Sequence, residues 1–332
     1  MRRSIAHPIH ARSRAWLRYA LAPLGVAWCL LAVSCADQPK SAAARDASAR
    51  DSVAAAPAVN ETTSGTAEST YAPVVVSIRD GALSAPSAID AGWHRLHATA
   101  EMGSHIVVAY RVPSSADAAD VAALMSVIDT ARATPAYARA MGGVEGSAGG
   151  DVILAFTPGR YVLACLSRGD DDHRHAAKGE YTTFTVTDAA TESTARAPEP
   201  QATAQLGLVD FAYTGPDVWT APTIANRNAN TRGTPDSIAT YMLRVENTGR
   251  QDHQVRIERL LNGATLRTWL AADDRANISR YVGGIARMGT GAVAYLPLRL
   301  APGTYVVYCL VPDAGSRTPH IELGMLRQVT VR

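Results

Sequence analysis

The sequence has few cysteines, no second long apolar run and no excess of positive charge beyond its first residues. No apolar stretch after residue 35 approaches the roughly 20 residues of a membrane-spanning helix, which excludes a polytopic membrane protein. The formal net charge is +2, but five arginines and no acid precede residue 35, so the remainder carries −3 and we expect no nucleic-acid partner. Four cysteines are too few for a disulfide scaffold. Two of them, Cys29 and Cys35, lie in the leader, which leaves Cys165 and Cys309 to be explained.

The N-terminal region has the composition of an export signal. Residues 1–20 are basic, residues 21–33 are apolar, and small residues and a cysteine follow. The segment LAVSC, which ends at Cys35, resembles a bacterial lipobox, in which the cysteine is lipidated. We predict a signal peptide at residues 1–34, lipidation of Cys35, and anchoring of the chain to a membrane of the cell envelope, on its periplasmic or outer side. An ordinary signal peptide or an uncleaved anchor would also place the chain outside the cytoplasm.

Two low-complexity stretches divide the rest of the chain. Residues 35–71 are rich in Ala, Ser, Thr and Asp and cannot bury enough apolar area to order themselves, so we predict a disordered tether. Residues 189–204 have a similar Ala, Thr, Pro and Glu composition, and we predict an interdomain linker there. The predicted domains are residues 72–188 and 205–332.

The two predicted domains are internal repeats. Three landmarks recur in the same order at offsets of 144, 145 and 148: Pro158–Cys165 with Pro302–Cys309, His175-x-x-x-Gly179-Glu180 with His320-x-x-x-Gly324-Met325, and His105 with His253. Because the offsets differ only by loop-sized amounts, they indicate a duplicated domain.

Within each repeat the apolar pattern has a period of two. Short β-branched and aromatic runs, such as 74–78, 161–165 and 206–213, are separated by turn-forming residues. Helical spacing occurs at 117–131, with Ser114 and Asp117 placed as a capping box, and more briefly around Trp269. These patterns predict an all-β fold of two tandem β-sandwiches, each with a short helical insertion.

The second repeat contains a cysteine at the end of a predicted strand and a histidine and a methionine on the loop that follows. Gly303-Thr304-Tyr305 leads to Cys309, and His320 and Met325 follow; Asn247-Thr248-Gly249 precedes His253. This pattern resembles the cupredoxins, the plastocyanin- and azurin-like blue-copper proteins. The resemblance implies Greek-key sandwiches and a mononuclear type-1-like copper held by His253, Cys309, His320 and an axial Met325. The ten residues between Cys309 and His320 make a longer loop than that of simple cupredoxins.

The first repeat matches this pattern only in part. His105, Cys165 and His175 have counterparts in the second repeat, but Glu180 replaces the axial methionine. A carboxylate is a harder ligand than a thioether and would lower the potential or change the geometry. The resemblance therefore implies one copper, or two if the first repeat also binds. Alternatives are a purely structural first sandwich, buried apolar cysteines, or a disulfide between Cys165 and Cys309.

The chain lacks familiar catalytic motifs. It has no G-x-S-x-G, H-E-x-x-H or P-loop pattern, and no histidine directly precedes either cysteine, so we expect no enzymatic activity. With the resemblance, this implies an exported copper protein that transfers single electrons to a partner protein, through an exposed imidazole edge, or sequesters copper. The alternative is a non-catalytic envelope module that uses the sandwich to bind a protein or glycan.

Overall fold

The computed structural model describes residues 70–101, 103, 105–130, 134–146, 149–188, 196–221 and 238–332. The predicted signal peptide, Cys35, the tether up to residue 69 and linker residues 189–195 lie outside the described residues. Within those ranges, neither helix has the length and apolar character needed to cross a bilayer.

In the described part of the first repeat there are nine strands and one α-helix. They are β1 (Pro73–Arg79), β2 (Ala82–Ser84), β3 (Ala88–Asp90), β4 (Gly92–Ala100), β5 (His105–Val112), α1 (Ala118–Thr130), β6 (Arg139–Gly146), β7 (Gly149–Phe156), β8 (Gly159–Cys165) and β9 (Tyr181–Thr187), with a 3₁₀ turn at His175–Lys178 before β9.

The second repeat has the same order of elements. They are β10 (Ala204–Val209), β11 (Ala212–Thr214), β12 (Val218–Trp219), β13 (Ala239–Asn247), β14 (His253–Leu260), α2 (Leu266–Ala271), β15 (Ser279–Met288), β16 (Val293–Leu300), β17 (Gly303–Tyr308) and β18 (Leu326–Val331).

The strands form two sheets that both run through the two repeats. Among the described residues, one sheet has the order β11-β10-β13-β16-β7-β4-β1-β2 and the other has the order β12-β18-β17-β14-β15-β6-β5-β8-β9-β3. The prediction of an all-β sandwich is confirmed. In β1, Val74, Val76 and Ile78 are buried whereas Val75 is 43% exposed, since successive side chains of a strand point to opposite faces. One hydrophobic core contains inward-facing side chains of both repeats.

The repeats meet through equivalent strands. β7 pairs antiparallel with β16, and β6 pairs antiparallel with β15. The strands β6 and β15 each contain a glycine pair, Gly142-Gly143 and Gly283-Gly284, and the sequence analysis did not identify either strand. A Cβ at Gly143 would lie 1.9 Å from the carbonyl oxygen of Val107, so the close approach of β5 and β6 requires glycine there.

The predicted helices are present, with one change in the N-terminal cap. Helix α1 buries the four apolar side chains at helical spacing, Val121, Leu124, Met125 and Ile128. Its cap is Asp117 rather than Ser114, because the Asp117 carboxylate accepts the N–H groups of Ala119 and Asp120 at 2.8 and 3.0 Å. A carboxylate at the N-cap also interacts favourably with the helix dipole.

Candidate metal centres

In the second repeat, the long loop that follows Cys309 comes back to the end of β17 before it reaches His320. Pro312 and Pro319 form a β-bridge, and the His320 N–H donates to the carbonyl of Val311 at 2.9 Å. The extra residues therefore project as a side hairpin and leave His320 beside the strand end. The first repeat has the same construction, since the His175 N–H donates to the carbonyl of Ser167 at 2.9 Å.

The side hairpin is organised by Asp313. Its carboxylate accepts the N–H groups of Ser316 and Gly315 at 2.6 and 3.1 Å and the side-chain amide of Gln251 at 2.8 Å. These donors lower the pKa of Asp313 to about 2. Gln251 belongs to the turn that precedes His253, so Asp313 connects two of the segments that carry candidate ligands.

The backbone fixes the positions of Cys309 and Met325 relative to each other. The Cys309 N–H donates to the Met325 carbonyl at 3.2 Å, and the Met325 N–H donates to the His320 carbonyl at 2.8 Å. Between them Gly324 has φ 106°, a conformation that favours glycine. The equivalent bonds in the first repeat join Cys165 to Glu180 and Glu180 to His175, at 3.0 and 3.1 Å.

His253 is held by the turn that precedes it. Asn247 is fully buried, and its amide donates to the carbonyls of Gln251 and Met288 at 2.8 Å each while it accepts the Gly249 N–H at 2.9 Å. The Asn-x-Gly motif is thus a cross-link that presents His253 at the start of β14.

The second-repeat site, consisting of His253, Cys309, His320 and Met325, is compact and buried. The two histidine Nδ1 atoms lie 3.0 Å apart, and the Cys309 Sγ lies 3.5 Å from His320 Nδ1. The potential ligand atoms of the two histidines and Cys309 all lie within 4.8 Å of one another. All four residues are completely inaccessible to solvent, and Met325 belongs to the same core cluster as Cys309.

Asp210 orients the imidazole of His253. The His253 Nε2 lies 3.1 Å from the Asp210 carboxylate, which also accepts the N–H groups of Arg250 and Gln251. Burial opposes ionisation of Asp210, but these hydrogen bonds outweigh burial and lower its pKa. A proton on Nε2 directed at Asp210 leaves the Nδ1 lone pair facing Cys309 and His320, which is the arrangement that a metal ligand needs.

Burial keeps these groups in their neutral forms. It lowers the pKa of His253, and together with the nearby His253 it lowers the pKa of His320 to about 4. Burial also raises the pKa of Cys309 to about 12. At neutral pH both imidazoles can donate lone pairs, whereas the thiol must lose its proton to bind a metal.

Phe211 covers the second-repeat site. Its ring packs edge-on against His320 with the centroids 5.2 Å apart. The sequence analysis expected an exposed imidazole edge, and that expectation is wrong because His320 is fully buried beneath this ring and its own loop. Among the described residues the His320 Nε2 has no hydrogen-bond partner.

The first-repeat site, consisting of His105, Cys165, His175 and Glu180, brings the same positions together with different chemistry. Glu180 lies 2.7 Å from His105 Nδ1 and 3.2 Å from His175 Nδ1. The Cys165 Sγ lies 3.5 and 3.7 Å from those nitrogens. Burial, and next the neighbouring Glu180, raise the pKa of Cys165 to about 12. The carboxylate thus occupies the place that Met325 has in the second repeat and bridges both histidines.

The first-repeat site opens into a cavity of about 470 Å³. Asp80, Gly81, Glu101 and Lys178 line this cavity together with His105, His175 and Glu180. Gly81 stands at the hairpin turn where the second repeat has Phe211, and a Cβ at Gly81 would meet no atom within 4 Å. The aromatic cover is therefore missing here.

The structure places seven of the eight candidate ligands in two clusters, one in each repeat, and backbone hydrogen bonds hold the eighth, Met325, beside Cys309 and His320. Cys165 and Cys309 are both free and buried, so the alternative of a disulfide between them is wrong. The donor sets fit a mononuclear copper, because each offers a cysteine sulfur and two imidazoles, and the loop of the second histidine adds a thioether (Met325) or a carboxylate (Glu180). The cofactor prediction is confirmed at this level, as two candidate sites of copper-ligand composition.

The roles of Asp210 and Phe211 were not predicted from the sequence. The apolar pattern of residues 206–213 predicts a single strand, but the structure has a hairpin there with Phe211 at φ 64°. The repeat itself held the signal, because Asp210-Phe211 follows β10 as Asp80-Gly81 follows β1.

No protein-family model matches the chain, and no curated protein matches it. Several solved structures do match this chain. Dithionite-reduced auracyanin from Roseiflexus castenholzii is 22% identical over 40% of this chain and 98% of its own, with a TM-score of 0.25. Auracyanin A, described as a blue copper protein from Chloroflexus aurantiacus, is 14% identical over 39% and 96%, with a TM-score of 0.23. The blue copper oxidase from Nitrosomonas europaea is 12% identical over 79% and 86%, with a TM-score of 0.21.

The expectation that the chain is not an enzyme is contradicted by the same comparison. The blue copper oxidase is an enzyme and matches across most of this chain, as do a multicopper oxidase and a copper-containing nitrite reductase. The expectation also rested on the residues before Cys165 and Cys309, which are Ala164 and Tyr308 rather than histidine. The other three motifs, G-x-S-x-G, H-E-x-x-H and the P-loop, belong to hydrolases, zinc enzymes and nucleotide-binding proteins. Their absence says nothing about copper chemistry.

Proposed function

We propose that the protein is a copper-binding, cupredoxin-like protein of the cell envelope that transfers single electrons through its second-repeat site. The observation that carries the proposal is the buried triangle of His253, Cys309 and His320, with one imidazole already oriented by Asp210. A thiolate and two neutral imidazoles form the donor set that accepts both copper oxidation states.

The residues of the second-repeat site would hold their positions during a change of charge. Bound copper would supply a one-electron couple. Cys309 is fixed by its N–H bond to Met325 and accepts the Gln254 N–H on its sulfur at 3.4 Å. Asp210 holds His253, and the loop bonds hold His320. Because these contacts already hold the ligands in place without a metal, little rearrangement would accompany electron transfer.

The first-repeat site is proposed as a second metal site with a different role. Glu180 offers a hard oxygen donor, and the adjoining cavity admits solvent to His105 and His175. A site of this kind suits a metal that exchanges with solution or takes a further ligand, in contrast to the covered site.

The test is to load the full metal-free chain with Cu(II) and record its absorption spectrum and metal content. We expect an intense blue band that Cys309→Ala abolishes, with the loss of one copper per chain. Cys165→Ala is the matched control: it removes the equivalent thiol and should leave the blue band in place. A colourless wild-type chain without bound copper would contradict the proposal and favour an interaction module with degenerate sites.

Electron transfer and copper storage are distinguished by redox cycling. The loaded chain should pass through repeated reduction and reoxidation with its copper content unchanged. Release of copper on each reduction would favour storage instead. The partner in electron transfer is proposed to be another redox protein.

Attachment to the envelope rests on the leader sequence. We propose that Cys35 is lipidated after export and that the residues beyond it tether the two repeats to a membrane. Cys35→Ser should move the protein from the membrane fraction to the soluble fraction while the blue band remains. Retention of the variant in the membrane fraction would count against a lipid anchor.

A further inference from the structure

A cavity of about 140 Å³ lies where the two repeats meet, and three arginines line it. Arg174 comes from the first repeat, whereas Arg256 and Arg287 come from β14 and β15 of the second. Glu145 of β6 and Gln254 of β14 complete its polar wall. The cavity belongs to neither candidate metal site, since it contains none of their ligands.

Arg287 has unused hydrogen-bonding capacity in this cavity. The residue is only 7% exposed, and among the described residues its Nε has no hydrogen-bond partner. Its Nη1 lies 3.4 Å from Asp252, which is a long contact for a charged pair. A buried N–H without an acceptor costs about 1–3 kcal/mol, so an acceptor at this position would be strongly favoured.

The guanidinium groups of Arg174 and Arg256 each use only some of their N–H donors within the protein. Arg256 donates from Nε to the Tyr308 hydroxyl at 3.1 Å and from Nη1 to Glu145. Arg174 donates from Nε to the carbonyl of Ile128 at 3.0 Å and from Nη1 to the carbonyl of Leu166. Because a guanidinium has five N–H donors, both groups are held in place and keep donors for a further acceptor.

The wall of the cavity carries excess positive charge. Three guanidinium groups against one carboxylate, Glu145, give it a formal charge of +2, and Asp252, which pairs with Arg287, reduces this to +1. Burial, and then the charges of Arg287 and Arg168, lower the pKa of Arg174 to about 10. Like charges held together out of water repel, and an anion between them would remove that repulsion.

We propose that this cavity binds a small planar oxyanion of single negative charge, a carboxylate or a nitrate-like ion, between Arg174, Arg256 and Arg287. The planar guanidinium fork matches the two oxygens of such an ion. A water molecule takes roughly 30 Å³ in the liquid, so the cavity admits an ion of only a few heavy atoms.

The test is calorimetric titration of the full metal-free chain with formate at constant ionic strength. We expect saturable binding of one formate per chain. Formamide, the neutral molecule of similar shape, should not bind. Arg287→Gln should weaken formate binding at least tenfold, which corresponds to the roughly 1.4 kcal/mol of one charge-assisted hydrogen bond.

The matched control is Arg280→Gln, because Arg280 lies on the same strand but is exposed, and this variant should bind formate as the wild type does. If circular dichroism shows that Arg287→Gln does not fold, Arg174→Gln carries the same expectation. Non-saturating formate binding, equal binding of formamide, or unchanged affinity in the folded arginine variant would each overturn the proposal.

Discussion

The two candidate metal sites occupy equivalent places in two copies of one sandwich, yet one is closed and the other is open. The backbone bonds that join the cysteine to the axial position, and the axial position to the second histidine, are the same in both repeats. The differences lie in two side chains. Phe211 covers one site where Gly81 leaves a cavity at the other, and Met325 stands in one where Glu180 stands in the other.

The backbone arrangement of the two sites and the chemistry of their ligands are therefore specified by different residues. Strand ends and loop bonds bring a cysteine and two histidines together in both repeats. The neighbours then orient the first histidine differently, since Asp210 holds the Nε2 of His253 whereas Glu180 contacts the Nδ1 of His105. A carboxylate outside the triangle leaves the ligand atoms free, and a carboxylate inside it becomes a ligand itself.

Exchanging the axial residue should have the largest effect. Met325→Glu would bury a carboxyl group in a solvent-free apolar cluster, and we expect it to destabilise the metal-free chain by about 3 kcal/mol. Urea unfolding measures this loss. Met325→Leu is the size-matched control and should cost less than about 1.5 kcal/mol. Equal stability of the two variants would contradict the burial of the side chain at position 325.

Removing the carboxylate that orients His253 should come next. Asp210→Ala should weaken copper binding at the second-repeat site by roughly 10- to 100-fold, because the imidazole loses the hydrogen bond that fixes its orientation. Competition with a chelator measures the affinity. Asp210→Asn keeps an oxygen acceptor and should lose much less. If both variants bind copper as the wild type does, Asp210 does not position the ligand.

Exchanging the covers should reverse the accessibility of the two sites. The contact between Phe211 and His320 is worth about 1 kcal/mol, so Phe211→Gly should speed copper release from the second-repeat site by a factor of about five. Gly81→Phe should slow release from the first, although the side chain would be strained there because Gly81 has φ 73°. Release rates into excess chelator, followed separately in Cys165→Ala and Cys309→Ala backgrounds, would show no change if the rings do not act as covers.

The smallest effect concerns pH and the side hairpin. The pKa of Asp313 is lowered to about 2 by its N–H donors, so its contribution to stability is present above its ordinary pKa of about 4 and is lost as the pH falls towards 2. Asp313→Asn should therefore lower the melting temperature at pH 7, and the difference from the wild type should shrink steadily as the pH falls from 5 towards 2. A difference that stays constant over this range would require another cause.

The parts of the fold that the sequence predicted are those with local signals. The strand that leads to Cys309 and the loop from His320 to Met325 were evident because strand periodicity and a repeat offset act over a few residues. The strands β6 and β15 were missed because their glycine pairs weaken the strand pattern. The reason for those glycines is tertiary, since a Cβ at Gly284 would lie 2.4 Å from the carbonyl oxygen of Val255 on the neighbouring strand.

The candidate site was predicted in its ligands but not in its surroundings. Cysteine, histidine and methionine stand out in a sequence because few are present. Asp210 and Phe211 are of common residue types. Their roles arise only because the turn after β10 lies beside His253 and His320. Contacts between distant segments of this kind have no period or spacing that a single sequence displays.

The pairing of β7 with β16 and of β6 with β15 joins each strand to its own counterpart, as an approximate two-fold axis does in a symmetric dimer. A chain with a single repeat would leave both of these strands as unpaired edges, and two copies could seal them in the same manner. When the two copies are joined in one chain, neither half has to pair with an identical copy of itself, so the two sequences can differ. One half could then gain a cover over its metal ligands while the other remained open, a division that identical subunits cannot achieve.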